Sequence, residues 1–418
     1  MKNNLLKDML YQYFLTGSFI PSFHIGSRFK VYDSAMLLME RFDRRGLERT
    51  IKRYTWHMPK KYRKIIIELI SGYFFAERSY SLSDEQLTIV REIPNKVLTI
   101  REWNALKIIC YSCGAMVLAN EFHRKACQRL AHNKGIMGAA IIGKMGLAVA
   151  NGDYDHLDTM LNKVAFRFLK YCAPRVYFYA NDMCKIHMRK VNCEDDFGKI
   201  VNGRDIAIIG AAPSDKAYSK SNDEIEVRIG YIGSAEDEKA PDVSYYNVGN
   251  AETLFTKDGE YTRFIGELKY VRFKALPEGY ESLDLYEKSS NVISYGSSSI
   301  PFGGPNMLQL VLYDLLHYNV NTIKVYYMTL WQSEVAFSKS YINAKSNDKK
   351  ILMAGFVDHD CISNFIYTKS LWEHRYFEAD NVLSHILKQT RDEYALEMER
   401  IYHFGYYKLM FEKEHGRE

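Results

Sequence analysis

The chain has 418 residues, 47% hydrophobic and 14% aromatic, a composition that excludes disorder and a small disulfide-stapled fold and predicts two domains rather than one core. Its net charge of +5 hides an asymmetry: residues 1–200 carry 32 Lys and Arg against 19 Asp and Glu, and residues 201–418 carry 24 against 32, so the halves stand at +13 and −8. Such a split predicts two units with different surroundings, the basic one either facing phosphate-rich material or presenting a solvated helical surface.

From the start to about residue 192 the apolar positions recur at three- and four-residue spacing, which predicts helices. Met1–Phe14 has too short and too charge-interrupted an apolar core for a signal peptide, and no run of about eighteen apolar residues follows, so a cytoplasmic protein, at most peripheral to the inner face of the membrane, is expected. Seven cysteines without a regular framework fit a reducing compartment. Cys110-x-x-Cys113 lies inside an apolar helical pattern and reads as core packing, and Cys184-x-x-His187 with Cys193 is a weaker metal candidate still. Val117–Phe122 set beside Val149–Tyr154 shows an apolar helix ending at Ala-Asn before an aromatic residue opens the next. The pattern resembles the hairpins of tetratricopeptide-like repeats, with a generic helical bundle as the alternative.

Near Asn192–Asp196 the composition changes, which predicts a helical domain over 1–195 and an α/β domain with C-terminal helices over 204–418. Strands are expected at Ile206–Gly210, Glu226–Ile232, Val243–Val248, Tyr270–Ala275, Asn291–Tyr295 and Thr322–Thr329. A buried helix over Pro305–Tyr318 precedes the last of these, a βαβ order that implies a parallel pair. The polar stretch Gln332–Lys350 reads as a lid. The chain returns with Ile351–Phe356, a loop at Asp358-His359-Asp360, a helix from about Ser363 to His374, and a helical tail over Asp392–Lys413.

Three places carry the chemistry-bearing residues. The first strand ends in Gly210-Ala211-Ala212-Pro213-Ser214, a small-residue turn where backbone N–H groups can meet a phosphate or nucleoside. It lacks the spaced glycines of a dinucleotide fingerprint and the Gly-Lys-Ser/Thr of a P-loop. Ser294–Pro305 gathers hydroxyls and glycines before the buried helix, so Ser297, Ser298 and Ser299 suit phosphate or ribose contacts and Tyr295 a phenolic donor to a leaving phosphate. His359 stands between Asp358 and Asp360, a general base with a carboxylate to orient it; alternatively Asp358-x-Asp360 is a spacing that can hold a divalent metal on a nucleoside diphosphate.

Taken in order, these residues resemble the sialyltransferase-like glycosyltransferases, especially bacterial family 42, over about residues 204–385. The resemblance implies a Rossmann-like, mainly parallel domain of the sialyltransferase type, a GT-A variant. It also implies transfer of sialic acid, Kdo or a related ulosonic acid from a CMP-sugar to a glycan or lipid-linked glycan in bacterial surface polysaccharide synthesis. By the same resemblance His359 is the base, Gly210–Ser214 and Ser297–Ser299 contact the nucleotide, and no cofactor is needed beyond the donor. Ala211 and Ala212 replace an asparagine and a glycine of the family's turn, which leaves the donor open. Two other readings stand beside this one. One is a metal-dependent UDP- or GDP-sugar transferase using Asp358 and Asp360, and the other a non-catalytic helical scaffold with a degenerate nucleotide domain. No RNA- or DNA-reading motif accompanies the basic half, so nucleic acid is not an expected partner.

Overall fold

Helix signals written into the first half take effect where the caps fall. The computed structural model describes residues 25–76, 80–132, 139–163, 167, 170, 174–213, 218–221, 223–231, 240–247, 266–274, 288–293, 301–335, 337 and 349–414. Among them ten α-helices precede the first strand: α1 (Ile25–Glu40), α2 (Arg44–Tyr54), α3 (Lys60–Phe75), α4 (Asp84–Glu92), α5 (Ile100–Ser112), α6 (Met116–Ala131), α7 (Ala139–Asn151), α8 (Tyr154–Leu161), α9 (Pro174–His187) and the short α10 (Gly198–Val201). Ser83 with Gln86 and Thr99 with Glu102 form reciprocal capping boxes that start α4 and α5. Gly114, at φ +70°, ends the connection between α5 and α6, and a side chain there would meet the backbone of His403.

The supposed repeat is half present. Val149–Asn151 does close α7, with Gly152 at φ +68° before α8, whereas Ala119-Asn120 lies inside α6 and ends nothing. Asn120 is buried there and bonds Arg391 and Asp392, so its side chain serves packing instead of termination.

Seven strands form one wholly parallel sheet: β1 (Asp205–Ile209), β2 (Glu224–Ile229), β3 (Val243–Tyr246), β4 (Tyr270–Phe273), β5 (Ser289–Asn291), β6 (Thr322–Tyr326) and β7 (Glu378–Ala379), in the order β5-β4-β3-β2-β1-β6-β7. Five of the six expected strands are present near their expected bounds; the one expected at Asn291–Tyr295 lies earlier, at Ser289–Asn291, and shares only Asn291 with the expected range. Continuous apolar runs such as Ile206–Ile209 are what a strand covered on both faces requires, and the short β5 and β7 blunt the sheet's edges. The helix α11 (Met307–Leu315) joins β5 to β6. These two strands are parallel but not neighbours, as the βαβ order had implied: β6 crosses to the far side of β1, in register Ile206 with Ile323. The order therefore reverses between β1 and β6, which is where an open α/β sheet leaves a crevice outside the carboxyl ends of its strands.

Four helices complete the fold: α12 (Lys349–His359), α13 (Cys361–Glu373), α14 (Asn381–Lys388) and α15 (Arg391–Glu414). They return to the first half: α12 packs on α1 and α5, α13 on α7, and α15 on α6. One cluster of buried apolar side chains runs from Val31 to Tyr402. No helix among the described residues is long and apolar enough to cross a membrane.

Two buried polar clusters fix this packing. Arg272 of β4 grips Asp314 of α11 through Nε and Nη2 at 2.9 and 2.5 Å, and Tyr245 and the Ile293 amide also donate to that carboxylate. Every partner of the ion pair is thus a group from a different element, which locks β3, β4, the start of the turn after β5 and α11 together. In the other cluster Glu399 of α15 accepts from Tyr73 at 2.9 Å and from the Val117 amide at 2.8 Å, and burial pushes its carboxyl up to about 7.

Asp314→Ala leaves the Arg272 guanidinium buried and unpaired, so a loss of about 3–5 kcal/mol is expected in urea unfolding; a change below 1 kcal/mol contradicts the locking role. For Glu399 the folded carboxyl holds its proton to higher pH than the unfolded one. Stability should therefore fall as pH rises from about 4.5 to about 7 and stay low above that. Glu399→Gln should flatten that slope, and an unchanged pH profile would show the carboxyl is not the titrating group.

Candidate active site

The turn after β1 is closed by its neighbour. Gly210 N–H donates to the Tyr326 carbonyl at 2.8 Å and Ala212 N–H to the Tyr327 carbonyl at 3.1 Å. A Cβ on Gly210 would overlap the Tyr327 carbonyl and lie 2.7 Å from the Met328 side chain, so the glycine serves the close approach of two loops rather than of a ligand. Two of the turn's amide donors, those of Gly210 and Ala212, already have carbonyl acceptors. Ala211 packs partly buried against the core, Ala212 is buried and Pro213 is exposed. Ser214, Tyr295, Ser297, Ser298 and Ser299 lie outside the described residues, as does most of the expected lid at Gln332–Lys350.

His359 is placed differently from the expected loop: it is the last residue of α12. One residue on, Asp360 turns the chain at φ +51° and caps α13 by accepting from the Ser363 amide at 3.1 Å. This corner receives the turn Pro301–Asn306 from 55 residues earlier in the chain: the Gly304 amide donates to the Asp358 carbonyl at 3.2 Å, and His359 Nδ1 lies 3.3 Å from the Gly304 carbonyl. A side chain on Gly303 would overlap the His359 carbonyl and lie 2.7 Å from the Asp360 Cβ. Asn364, fully buried, ties the two segments together, donating to the carbonyls of Gly304 and His359 and accepting from the Asn306 amide at 2.9 Å. The glycine-rich turn and the histidine that the sequence separated are therefore one structure.

A carbonyl can only accept, so Nδ1 carries the proton of the neutral ring and Nε2 keeps its lone pair. Nε2 lies 3.6 Å from Asp358 Oδ2, with the imidazole 26% and the carboxylate 41% exposed. Burial lowers the imidazole's proton affinity; Asp358 opposes this, and the charges of Lys274 and Arg28 add to it. The ring is a neutral acceptor facing a carboxylate, the state a general base needs.

Lys274 and Arg28 escaped the sequence reading. Lys274 directly follows β4 at the carboxyl edge of the sheet, a position that alone marks a residue for inspection. Burial lowers its ammonium and Asp358 raises it. Arg28 of α1 reaches the corner from more than 300 residues away and donates through Nη1 to the carbonyls of Phe302 and Asp358 at 2.9 and 3.1 Å. No local signal could have revealed that contact.

The two aspartates do not form a pair. Asp360 is 1% exposed and accepts from Lys107 Nζ at Oδ2 and from the Tyr111 hydroxyl at Oδ1, 2.9 Å away, in addition to the Ser363 amide. Both its oxygens are occupied by α5 and α13, so it is not available to join Asp358 around a cation. Cys184 is buried against the Tyr154 carbonyl and His187 bonds the Tyr376 hydroxyl at 3.0 Å, which separates the weaker metal candidates as well. No group of three or more His, Cys, Asp or Glu among the described residues is arranged to hold a metal ion. Cys110 and Cys113 are free, buried thiols at the end of α5, with burial raising both.

No protein-family model, curated protein or solved structure matches this chain.

An NMR titration of the His359 imidazole should give a pKa below the ordinary histidine value of about 6.5. Lys274→Met should raise it and Asp358→Asn lower it further, because the two charges act in opposite senses. Shifts in the reverse directions would show that neither group faces the ring. Gly303→Ala should broaden or move the same resonances and destabilise the fold by about 2 kcal/mol or more, since the displaced atoms are backbone.

Proposed function

We propose that the protein is an inverting glycosyltransferase of sialyltransferase type, which moves a sugar of the sialic acid or Kdo class from its CMP donor to a glycan acceptor. The observation that carries the proposal is the state of His359: a neutral ring, protonated on Nδ1, with Nε2 open beside Asp358 and close to the carboxyl edge of a parallel sheet. In the proposed step the acceptor oxygen attacks the anomeric carbon, its proton passes to Nε2, and the bond from that carbon to the phosphate oxygen breaks with CMP leaving as the monophosphate. Lys274, at the carboxyl end of β4, supplies positive charge to the donor's phosphate or carboxylate. Tyr295, Ser297, Ser298 and Ser299 enter the proposal only through the family resemblance, as leaving-group contacts, and the basic helical half is the proposed seat of an anionic or lipid-linked acceptor at the inner membrane face. The metal-dependent UDP- or GDP-sugar reading loses support because Asp360 is held by Lys107 and Tyr111.

A second reading, a helical scaffold with a degenerate nucleotide domain, draws on the Gly210 and Ala212 amides, which bond the carbonyls of Tyr326 at the end of β6 and of Tyr327 after it. The two readings separate in one experiment. Transfer and donor hydrolysis are measured with CMP-sialic acid and CMP-Kdo, with and without EDTA, alongside calorimetric binding of CMP. His359→Gln should lower kcat by about 10²–10⁴ while CMP still binds, and EDTA should leave activity unchanged. Full activity in the variant removes His359 from the chemistry, failure to bind CMP favours the scaffold, and complete loss with EDTA favours the metal-dependent route.

A further inference from the structure

A cavity of about 230 Å³ opens between α6, α7, α13 and the start of α15, walled by His123, Cys127, Leu147, Ser363, Ile366 and Arg391 among others. Its polar wall is internally satisfied. Ser363 Oγ donates to the Pro301 carbonyl at 2.6 Å, so the contact of 2.8 Å with His123 Nε2 has the imidazole as donor. The other ring nitrogen then accepts from the Cys127 thiol at 3.5 Å.

Arg391 is the exception. Its Nε and Nη2 donate to the side-chain oxygen and carbonyl of Asn120, both neutral, and among the described residues it makes no ion pair with a carboxylate. The carboxylates whose charge reaches it are paired elsewhere: Asp392 takes Arg124 at 2.6 Å and Arg91 at 3.5 Å, and Glu121 takes Arg91 at 3.0 Å. Among the described residues no acidic side chain lines the cavity. Burial lowers the Arg391 guanidinium while Glu121 and Asp392 raise it, yet neither carboxylate pairs with it directly, which leaves its charge for an anion in the cavity. Arg391 is also the first residue of the long helix α15, whose N-terminal dipole adds positive potential at the same spot. Leu147, Ala150 and Ile366 supply an apolar wall, with Gln128, His132 and Asn151 as further polar lining. The volume is below the range of about 300–1,000 Å³ usual for drug-sized ligands, which restricts an occupant to roughly a single ring.

We propose that this cavity is a binding site for a small organic anion, its carboxylate or phosphate on Arg391 and its apolar body against Leu147 and Ile366. The site does not depend on the transferase reading.

The test is the melting temperature of the full chain in the presence of benzoate, phenyl phosphate, inorganic phosphate or benzyl alcohol, each raised into the millimolar range. At least one of the two aromatic anions should raise Tm by about 2–4 °C near saturation, and the one that does so identifies the head group. Benzyl alcohol and inorganic phosphate should give smaller shifts, because each lacks half of the recognition. Arg391→Gln should abolish the response. Leu147→Trp, which fills the cavity and leaves Arg391 in place, should abolish it too and keeps the test decisive if the arginine variant does not fold. Equal shifts from benzyl alcohol or inorganic phosphate, a full response in either folded variant, or no response to both aromatic anions overturns the proposal.

Discussion

The carboxylate of Asp360 holds the candidate active site to the rest of the molecule. It is 1% exposed, and Lys107, Tyr111 and the Ser363 amide all donate to it, so α5 and α13 meet on one buried side chain. The Lys107 ammonium also lies 4.7 Å from the Phe302 ring, on the turn that carries Gly303 and Gly304. A buried ion pair of this kind adds little net stability relative to apolar packing, but removing one partner strands a charge in the core. Its consequence here is geometric. Asp360 occupies left-handed backbone, which aspartate tolerates better than most residues, and the turn it makes sets where the preceding His359 points. The helical first half therefore supplies the back wall of the site, through Lys107, Tyr111 and Arg28.

The last helix acts as a second clamp, on the other side of the sheet's switch point. Tyr327, Leu330 and Trp331, all after β6, have positive φ, a strained run for non-glycine residues that persists only when its surroundings over-determine it. α15 provides those surroundings: Tyr394 donates to the Leu330 carbonyl at 2.8 Å and Tyr402 to the Trp331 carbonyl at 2.9 Å. Trp331 and Tyr402 both pack edge-on against Phe356 of α12, one turn before His359. The same helix carries Glu399 into the first half, where Tyr73 and the Val117 amide hold it. Loop strain beside β1 and the placement of α12 thus share one support.

What the sequence disclosed follows from how local each signal was. Strand β1 announced itself because a buried parallel strand needs continuous apolar residues, and α11 because its apolar run follows a proline; β5, Ser-Ser-Asn, carries no apolar pattern and was expected two residues too late. β7, only two residues long, has no pattern to read. Ala119-Asn120 looked like a helix end because asparagine favours termini, yet tertiary contacts with Arg391 and Asp392 kept it inside α6. Gly210 was correctly marked as a place of close approach, but which partner approached, ligand or neighbouring loop, is decided by β6 more than 100 residues later. His359 was legible as a residue and not as a position, since its tautomer depends on Gly304 and its charge state on Lys274 and Arg28, all distant in sequence.

The closed turn after β1 changes how an anionic donor has to be recognised in the proposed reaction. In most nucleotide folds the amides after the first strand meet the phosphate, but Gly210 and Ala212 have given theirs to the end of β6 and the residue after it, so the proposed donor needs side-chain charge as well. Lys274 is the cation at the sheet's carboxyl edge, and its charge also disfavours protonation of His359. A donor phosphate resting on Lys274 supplies the counter-charge and cancels that effect, whereas Asp358 remains to favour the imidazolium. In the proposed reaction donor binding would therefore raise the basicity of His359 before an acceptor hydroxyl arrives. In the free protein burial is the largest cause that holds the ring's proton affinity down, with Lys274 and Arg28 adding to it, and the proposed donor would cancel only the lysine's share.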